Sequence, residues 1–358
     1  MLGARKIITQ LMGLSERIML ERLLIVGLGS IGSRHARLAR MLLPGVQIVA
    51  LRHQSGQDPQ SMGVDYCVTN LTEALEFRPQ AAVIANPATH HLEVALPLAQ
   101  AGVHLLIEKP ISSSIHRVAE LIDTCRLQGT VLMTGYNMRF LPSLQRFREL
   151  LGEKLCGRVL SVRAEVGQYL PSWRPNSDYR QNVSAKAELG GGVLLELSHE
   201  IDYLRWLFGE VEWVNAILLK QSDLEIDVED SAYLMFGFAP HEEEKPVVAT
   251  LNMDFVRHDT ARSCTVIGET GSLRWNAIAG TVEIFKQGSD AWQTLFTHRS
   301  QRDDSYLSEW HHFLECISNN QSPQIAGQDG LEVLRVIDAA RHSSAVGALT
   351  QIKKGNGD

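Results

Sequence analysis

A chain of 358 residues with 44% hydrophobic side chains can bury a sizeable core and has the length of two domains. Its 41 acidic against 34 basic residues leave a formal charge of −7, which offers nucleic acid or an anionic membrane no electrostatic footprint. Five cysteines, Cys67, Cys125, Cys156, Cys264 and Cys316, follow no metal-ligand or redox spacing. They read as reduced thiols, so no metal is expected and the compartment is read as cytoplasmic.

Residues 1–20 read as an N-terminal extension, because Gln10, Ser15, Glu16 and Arg17 interrupt the apolar stretch before the core of an export signal forms. No later segment is apolar for long enough to span a bilayer. The apolar run from Leu23 to Val26 then breaks into Gly27, Gly29 and Gly32. These are the positions at which a dinucleotide-binding turn needs a tight turn, a close backbone approach to a pyrophosphate, and close helix packing. A helical pattern follows from Arg34 to Leu43, so Ser30 and Ile31 would offer their amides to phosphate at a helix start.

Further strands are expected at 47–51, 81–85, 103–108 and 131–136, with helices near 92–101 and 115–127, the rhythm of a doubly wound parallel sheet of Rossmann type. The end of the second strand, about 20 residues past the glycines, is where an acidic side chain would hold the ribose of NAD. Arg52 and Ser55 stand there instead, suited to the 2′-phosphate of NADP, so NADP is favoured over NAD. From 156 onward, strand candidates at 159–166, 211–219, 230–238, 247–255, 263–268, 272–275 and 281–285 predict an α+β domain with a large, open-faced, mostly antiparallel sheet. A single helix over 193–208 interrupts them, and helices over 305–317 and 331–344 close the chain. The expected domains are 21–155 for dinucleotide and 156–348 for substrate and oligomerisation, followed by a tail over 349–358. Apolar side chains on both faces of 247–255 predict a homodimer or homotetramer.

On the helix over 193–208, the spacing of Glu196, His199 and Asp202 would put all three on one face, the wall of a site. Arg139, and the loop carrying Trp173, Arg174 and Tyr179, read as substrate-facing through stacking and bidentate recognition.

The run Asn86-Pro87-Ala88-Thr89-His90-His91, and Glu108-Lys109-Pro110 closing a strand in a chain with this glycine turn, closely resemble the glucose-fructose oxidoreductase and inositol 2-dehydrogenase family, often written Gfo/Idh/MocA. The resemblance runs from Leu23 to about Ala345. It implies an NAD(P)-dependent oxidoreductase acting on a secondary alcohol or ketone of a sugar, inositol or nucleotide-sugar-like substrate. It implies that Lys109 handles the proton near the nicotinamide, that Glu108 and Pro110 shape the loop, and that Asn86, Pro87 and His91 line the cofactor. It also implies that His199 binds the reacting hydroxyl, with Asp202 or Glu196 orienting it. Members of the family usually carry an acidic residue four positions before that histidine, where this chain has Leu195. Either Glu196 reaches the same place by a one-residue shift, or the acidic partner is missing. Two other outcomes stay open at this level: a glycoside hydrolase that uses the cofactor transiently, and a non-catalytic cofactor sensor.

Overall fold

The computed structural model describes residues 20–52, 59–239 and 245–353; most of the expected N-terminal extension, Ser55 and the end of the tail lie outside them. The described residues form two compact units, those up to 135 with 307–331, and 136–306 with those from 332 onward.

In the first unit the chain alternates β1 (Arg22–Val26), α1 (Ser30–Leu42), β2 (Gln47–Leu51), β3 (Tyr66–Val68), α2 (Leu71–Glu76), β4 (Ala81–Ile84), α3 (His91–Gln100), β5 (His104–Glu108), α4 (Val118–Gln128) and β6 (Leu132–Gly135). All six strands are parallel in the order β3-β2-β1-β4-β5-β6. Leu23 to Ile25 are fully buried, as expected of strands covered on both faces. The strand order reverses between β1 and β4, which opens a crevice at their carboxyl ends.

The second unit adds α5 (Pro142–Gly152), β7 (Val159–Gly167), α6 (Val193–Glu196), α7 (His199–Phe208) and strands β8 (Val211–Leu219), β9 (Ser231–Phe238), β10 (Val248–Asp254), β11 (Ala261–Gly268), β12 (Gly271–Asn276), β13 (Thr281–Lys286) and β14 (Gln293–Thr297). The chain ends through α8 (Asp304–Asn319), α9 (Gly327–Val346) and β15 (Thr350–Gln351). The nine strands run β14-β13-β12-β11-β7-β10-β9-β8-β15, and only β7 and β10 pair in parallel. One face is buried through Val162, Leu234, Leu251, Val266, Trp275 and Ile284, while Ile217, Tyr233 and Met235 on the other stay exposed.

The units divide at Gly135/Tyr136, whereas the sequence pattern suggested 155/156. α5 belongs with the second sheet, where the indole N–H of Trp275 donates to Ser143 Oγ at 3.0 Å. Residues 307–331 return to the first unit, where Thr134 N–H donates to the Ile325 carbonyl beside β6.

Candidate active site

The glycine turn is built as its spacing predicts. Gly27 adopts φ +84°, and a Cβ there would meet the Asn86 amide nitrogen at 2.9 Å. A Cβ on Gly32 would fall 1.8 Å from the Gly27 carbonyl oxygen, so the turn and the helix leave room for hydrogen alone. At Gly29 a Cβ would meet nothing within 4 Å, and that open side is where a pyrophosphate would approach. The first turn of α1, with Ser30 and Ile31, carries no acidic residue and no side-chain cap, so its positive end is left for an anion.

Two neighbouring strands end beside this turn in the sheet order. After β4, Asn86 Oδ1 and Thr89 Oγ1 are buried without hydrogen-bond partners among the described residues. Orphaned buried acceptors of this kind, next to an open glycine cradle, fit the polar groups of a dinucleotide. Thr89 was not singled out by sequence reasoning; its place in the run after Asn86 was the only signal available. Pro87 sits at the start of the same loop. His91, expected along the cofactor, is only 1% exposed; its Nε2 lies 2.8 Å from the Asn86 carbonyl and its Nδ1 3.3 Å from that of Ile111. Burial pulls its imidazole below the usual value. A neutral ring has one N–H to donate, to one of these two carbonyls, so His91 is packed against loop backbone.

β5 delivers Lys109 to its carboxyl end, and the Lys109–Pro110 peptide is cis, as the Glu-Lys-Pro pattern allowed. Glu108 faces inward: it lies 2.8 Å from His35 Nε2 through Oε1 and accepts the Lys109 backbone N–H through Oε2 at 3.2 Å. Both contacts are internal to the unit and brace the loop, in keeping with the loop-shaping part that the resemblance implies for Glu108.

Arg52 follows β2 as expected, half-buried, with Nη1 3.9 Å from Met62 Sδ. Among the described residues no carboxylate pairs with it, so a positive charge stands where the ribose would lie.

The second unit departs further from expectation. The helix over 193–208 is broken at Leu197–Ser198 into α6 and α7, so Glu196, His199 and Asp202 do not share one helical face. Glu196 accepts the Ser184 hydroxyl at 2.7 Å. Asp202 is buried and takes both Nε and Nη2 of Arg139, at 2.9 and 2.6 Å. Arg139, expected to face substrate, is 3% exposed, and its fork is committed to this pair. His199 begins α7, edge-on to the Tyr136 ring at 5.5 Å. The Tyr136 hydroxyl donates to Ser198 Oγ at 3.4 Å, which in turn donates to the Leu195 carbonyl. Burial first, and the nearby Asp202 charge second, hold the Tyr136 phenol above its usual range. In the loop, Trp173 donates its indole N–H to the Gln168 carbonyl and packs edge-on to Phe255. Arg174 is exposed, and the Tyr179 hydroxyl accepts the Glu225 amide. Of these, Arg174 is the one that is exposed and charged.

A cleft of about 510 Å³ lined by Leu75, Gln80, Gly102 and His104 lies at the amino ends of β4 and β5. It is at the opposite end of the sheet from the glycine turn, away from where such sheets bind ligands.

Comparison with known proteins agrees with this architecture. Residues 22–136 match the family described as "Oxidoreductase family, NAD-binding Rossmann fold", and residues 144–274 match "GFO/IDH/MocA C-terminal domain". The oxidoreductase YrbE of Bacillus subtilis is 27% identical over 346 residues, 92% of this chain and 96% of its own length. The myo-inositol 2-dehydrogenase of Thermotoga maritima is 24% identical over 333 residues, covering 90% of this chain and 96% of its own. A levoglucosan dehydrogenase solved in complex with NADH and levoglucosan superposes with a TM-score of 0.82 at 20% identity, over 93% of this chain and all of its own. No described helix is long and apolar enough to cross a membrane.

Proposed function

The chain belongs to the GFO/IDH/MocA oxidoreductases, whose first domain binds NAD, and on that premise we propose that it moves a hydride between nicotinamide and a secondary alcohol or ketone of a sugar-like substrate. One observation carries this reading. Three adjacent parallel strands, β1, β4 and β5, bring the glycine turn, Asn86 and Lys109 to their carboxyl ends.

When bound, the dinucleotide supplies the hydride chemistry. The Gly29 side of the turn and the first amides of α1 would hold its pyrophosphate, and Asn86 and Thr89 its polar edge. In the first unit Lys109 is assigned to the proton of the reacting oxygen, taking it in oxidation and returning it in reduction, and in the second unit His199 is the candidate for binding the hydroxyl, as the family resemblance implies for each. Asp202 is engaged by Arg139 and Glu196 by Ser184, so the acid that orients His199 is assigned to Glu196 from the family's usual pattern with a one-residue shift, and Ser184 is the partner it would share. Trp173, Arg174 and Tyr179 are assigned to the substrate side. Arg52, a cation without a carboxylate partner among the described residues, supports NADP as the preferred cofactor.

The sugar-type relatives support a polyol, sugar or inositol substrate. The exposed row Ile217, Tyr233 and Met235, in which Ile217 and Tyr233 are cross-strand partners, supports a second copy of this chain against the open sheet face. A homodimer or homotetramer by light scattering is expected, and a monomer at micromolar concentration would overturn that part. The five free thiols support a reducing, cytoplasmic compartment.

A panel of sugars, inositols and nucleotide-linked sugars, followed at the absorbance of reduced nicotinamide, tests the reading. Net reduction or oxidation of the cofactor supports it. Release of an aglycone from glycosides with no net change in the cofactor would make the protein a hydrolase instead.

A further inference from the structure

The first unit holds a buried group of His35, Glu108 and Glu309, whose ligand-type atoms all fall within 4.8 Å of one another. That is the reach of a metal ion, but the protons are placed against one. Trp310 Nε1–H can only donate, and it points at His35 Nδ1 at 2.9 Å. Nδ1 therefore accepts, the ring proton sits on Nε2, and Nε2 donates to Glu108 Oε1. A ring nitrogen that carries a proton has no lone pair to offer a cation.

The hydrogen bonds continue toward the reacting end of the unit, because the second oxygen of Glu108 takes the Lys109 amide. Gly135 on β6 packs against the same carboxylate: a Cβ there would lie 3.1 Å from Glu108 Cα and 3.2 Å from Oε2. The Glu108 side chain is thus held from three sides. Glu309 completes the group with both oxygens buried and without hydrogen-bond partners among the described residues. Burial first, and the Glu108 charge second, push its carboxyl well above the usual carboxylate range.

We propose that His35 is a positioning residue for the reaction: locked in one tautomer by Trp310, it holds the Glu108 carboxylate in the orientation that also takes the Lys109 amide. This fixes where the lysine side chain leaves β5. His35 belongs to α1, the helix whose first turn faces the phosphate site, so one rigid path sets both the cradle and the proton-handling lysine. The inference rests on the reading of Lys109 as that lysine.

His35→Gln and His35→Asn test it, because both are neutral amides but only glutamine carries an N–H to the place of Nε2. His35→Asn should lower kcat by roughly 10- to 100-fold, the scale of a slightly misplaced reacting group, while the Kd for NADH read by nicotinamide fluorescence stays within about threefold. His35→Gln should recover most of the loss. Should His35→Asn fail to fold, Trp310→Phe, which removes the tautomer lock and keeps a ring, should lower kcat with the Kd unchanged. Wild-type kcat in either folded variant, alongside an inactive Lys109→Ala, would overturn the role of His35 and leave the proposed function standing. Near-wild-type turnover of Lys109→Ala would overturn the functional reading itself, and this inference with it. A rise in wild-type melting temperature on adding Zn²⁺ or Mn²⁺, absent in His35→Asn, would also contradict the tautomer argument.

Discussion

In the first unit the groups assigned to chemistry stand at the ends of three neighbouring strands, and their places follow from the backbone: Gly27 from its positive φ, Asn86 and Lys109 from where β4 and β5 stop. In the second, His199 stands just after a break between two helices, and its surroundings come from side chains distant in sequence, with Arg139 reaching Asp202 across 63 residues. Backbone-defined sites tolerate side-chain change around them and fail at glycine. Sites defined by tertiary pairs fail when one partner goes. The difference gives each unit its own way of being broken.

The largest effect is expected in the second unit. Arg139→Ala removes the two guanidinium hydrogen bonds that the buried Asp202 carboxylate accepts and should cost about 3–5 kcal/mol in urea unfolding. Replacing both residues with apolar ones of similar volume should recover most of that loss. If the single variant is as stable as wild type, Asp202 has another means of compensation and the pair is not what shapes α7.

Gly32→Ala comes next, in the first unit, and should destabilise by on the order of 3 kcal/mol, since its Cβ would overlap the Gly27 carbonyl. Gly29→Ala is its control. There the fold has space, so stability should stay within about 0.5 kcal/mol, while NADH affinity falls by about tenfold, close to 1.4 kcal/mol. Equal effects of the two substitutions on stability would contradict the division between packing and cofactor roles.

Arg52→Ala should weaken NADP by about 1–3 kcal/mol, the scale of a charge-assisted hydrogen bond, with NAD little changed. Titration of both cofactors reads this, and an unchanged ratio would remove the NADP preference.

The smallest effect is a slope. The Glu309 carboxyl is raised in the folded state, so the folded protein keeps a proton that the unfolded chain releases in the ordinary carboxylate range. Its stabilising contribution is present below that range and is lost as pH rises above it, by no more than about 1.4 kcal/mol per pH unit for one proton. Glu309→Gln should flatten the fall of melting temperature with pH, and an unaltered slope would mean that Glu309 does not hold its proton.

The same division explains what was legible in the sequence. The central strands of the first sheet announce themselves as apolar runs because both faces are covered, and the glycine turn follows from its spacing, while Lys109 is singled out by the family resemblance of Glu108-Lys109-Pro110. β3 is three residues long with an exposed Tyr66, and the two residues of β15 carry no pattern at all. The break in the helix over 193–208 was invisible because buried apolar residues continue through it; only the backbone at Leu197, φ −102° and ψ 24°, ends the first turn. Trp310 meets His35 across 275 residues, a contact that no local spacing signals. Asp202 and His199 share a helix, and Asp202 also takes the fork of Arg139 from another element, a contact that helical periodicity does not signal.

The central claim is that Lys109, carried to the end of β5 beside the glycine turn, handles the proton of the reacting hydroxyl. The most direct test measures Lys109→Ala twice, once for NADH affinity by fluorescence and once for turnover on the substrate that the sugar panel identifies. NADH should bind with an affinity within about threefold of wild type, while kcat falls by roughly 10²-fold or more, the scale of a positioned acid–base group. Near-wild-type turnover with normal cofactor binding would contradict the account and place the chemistry on other residues.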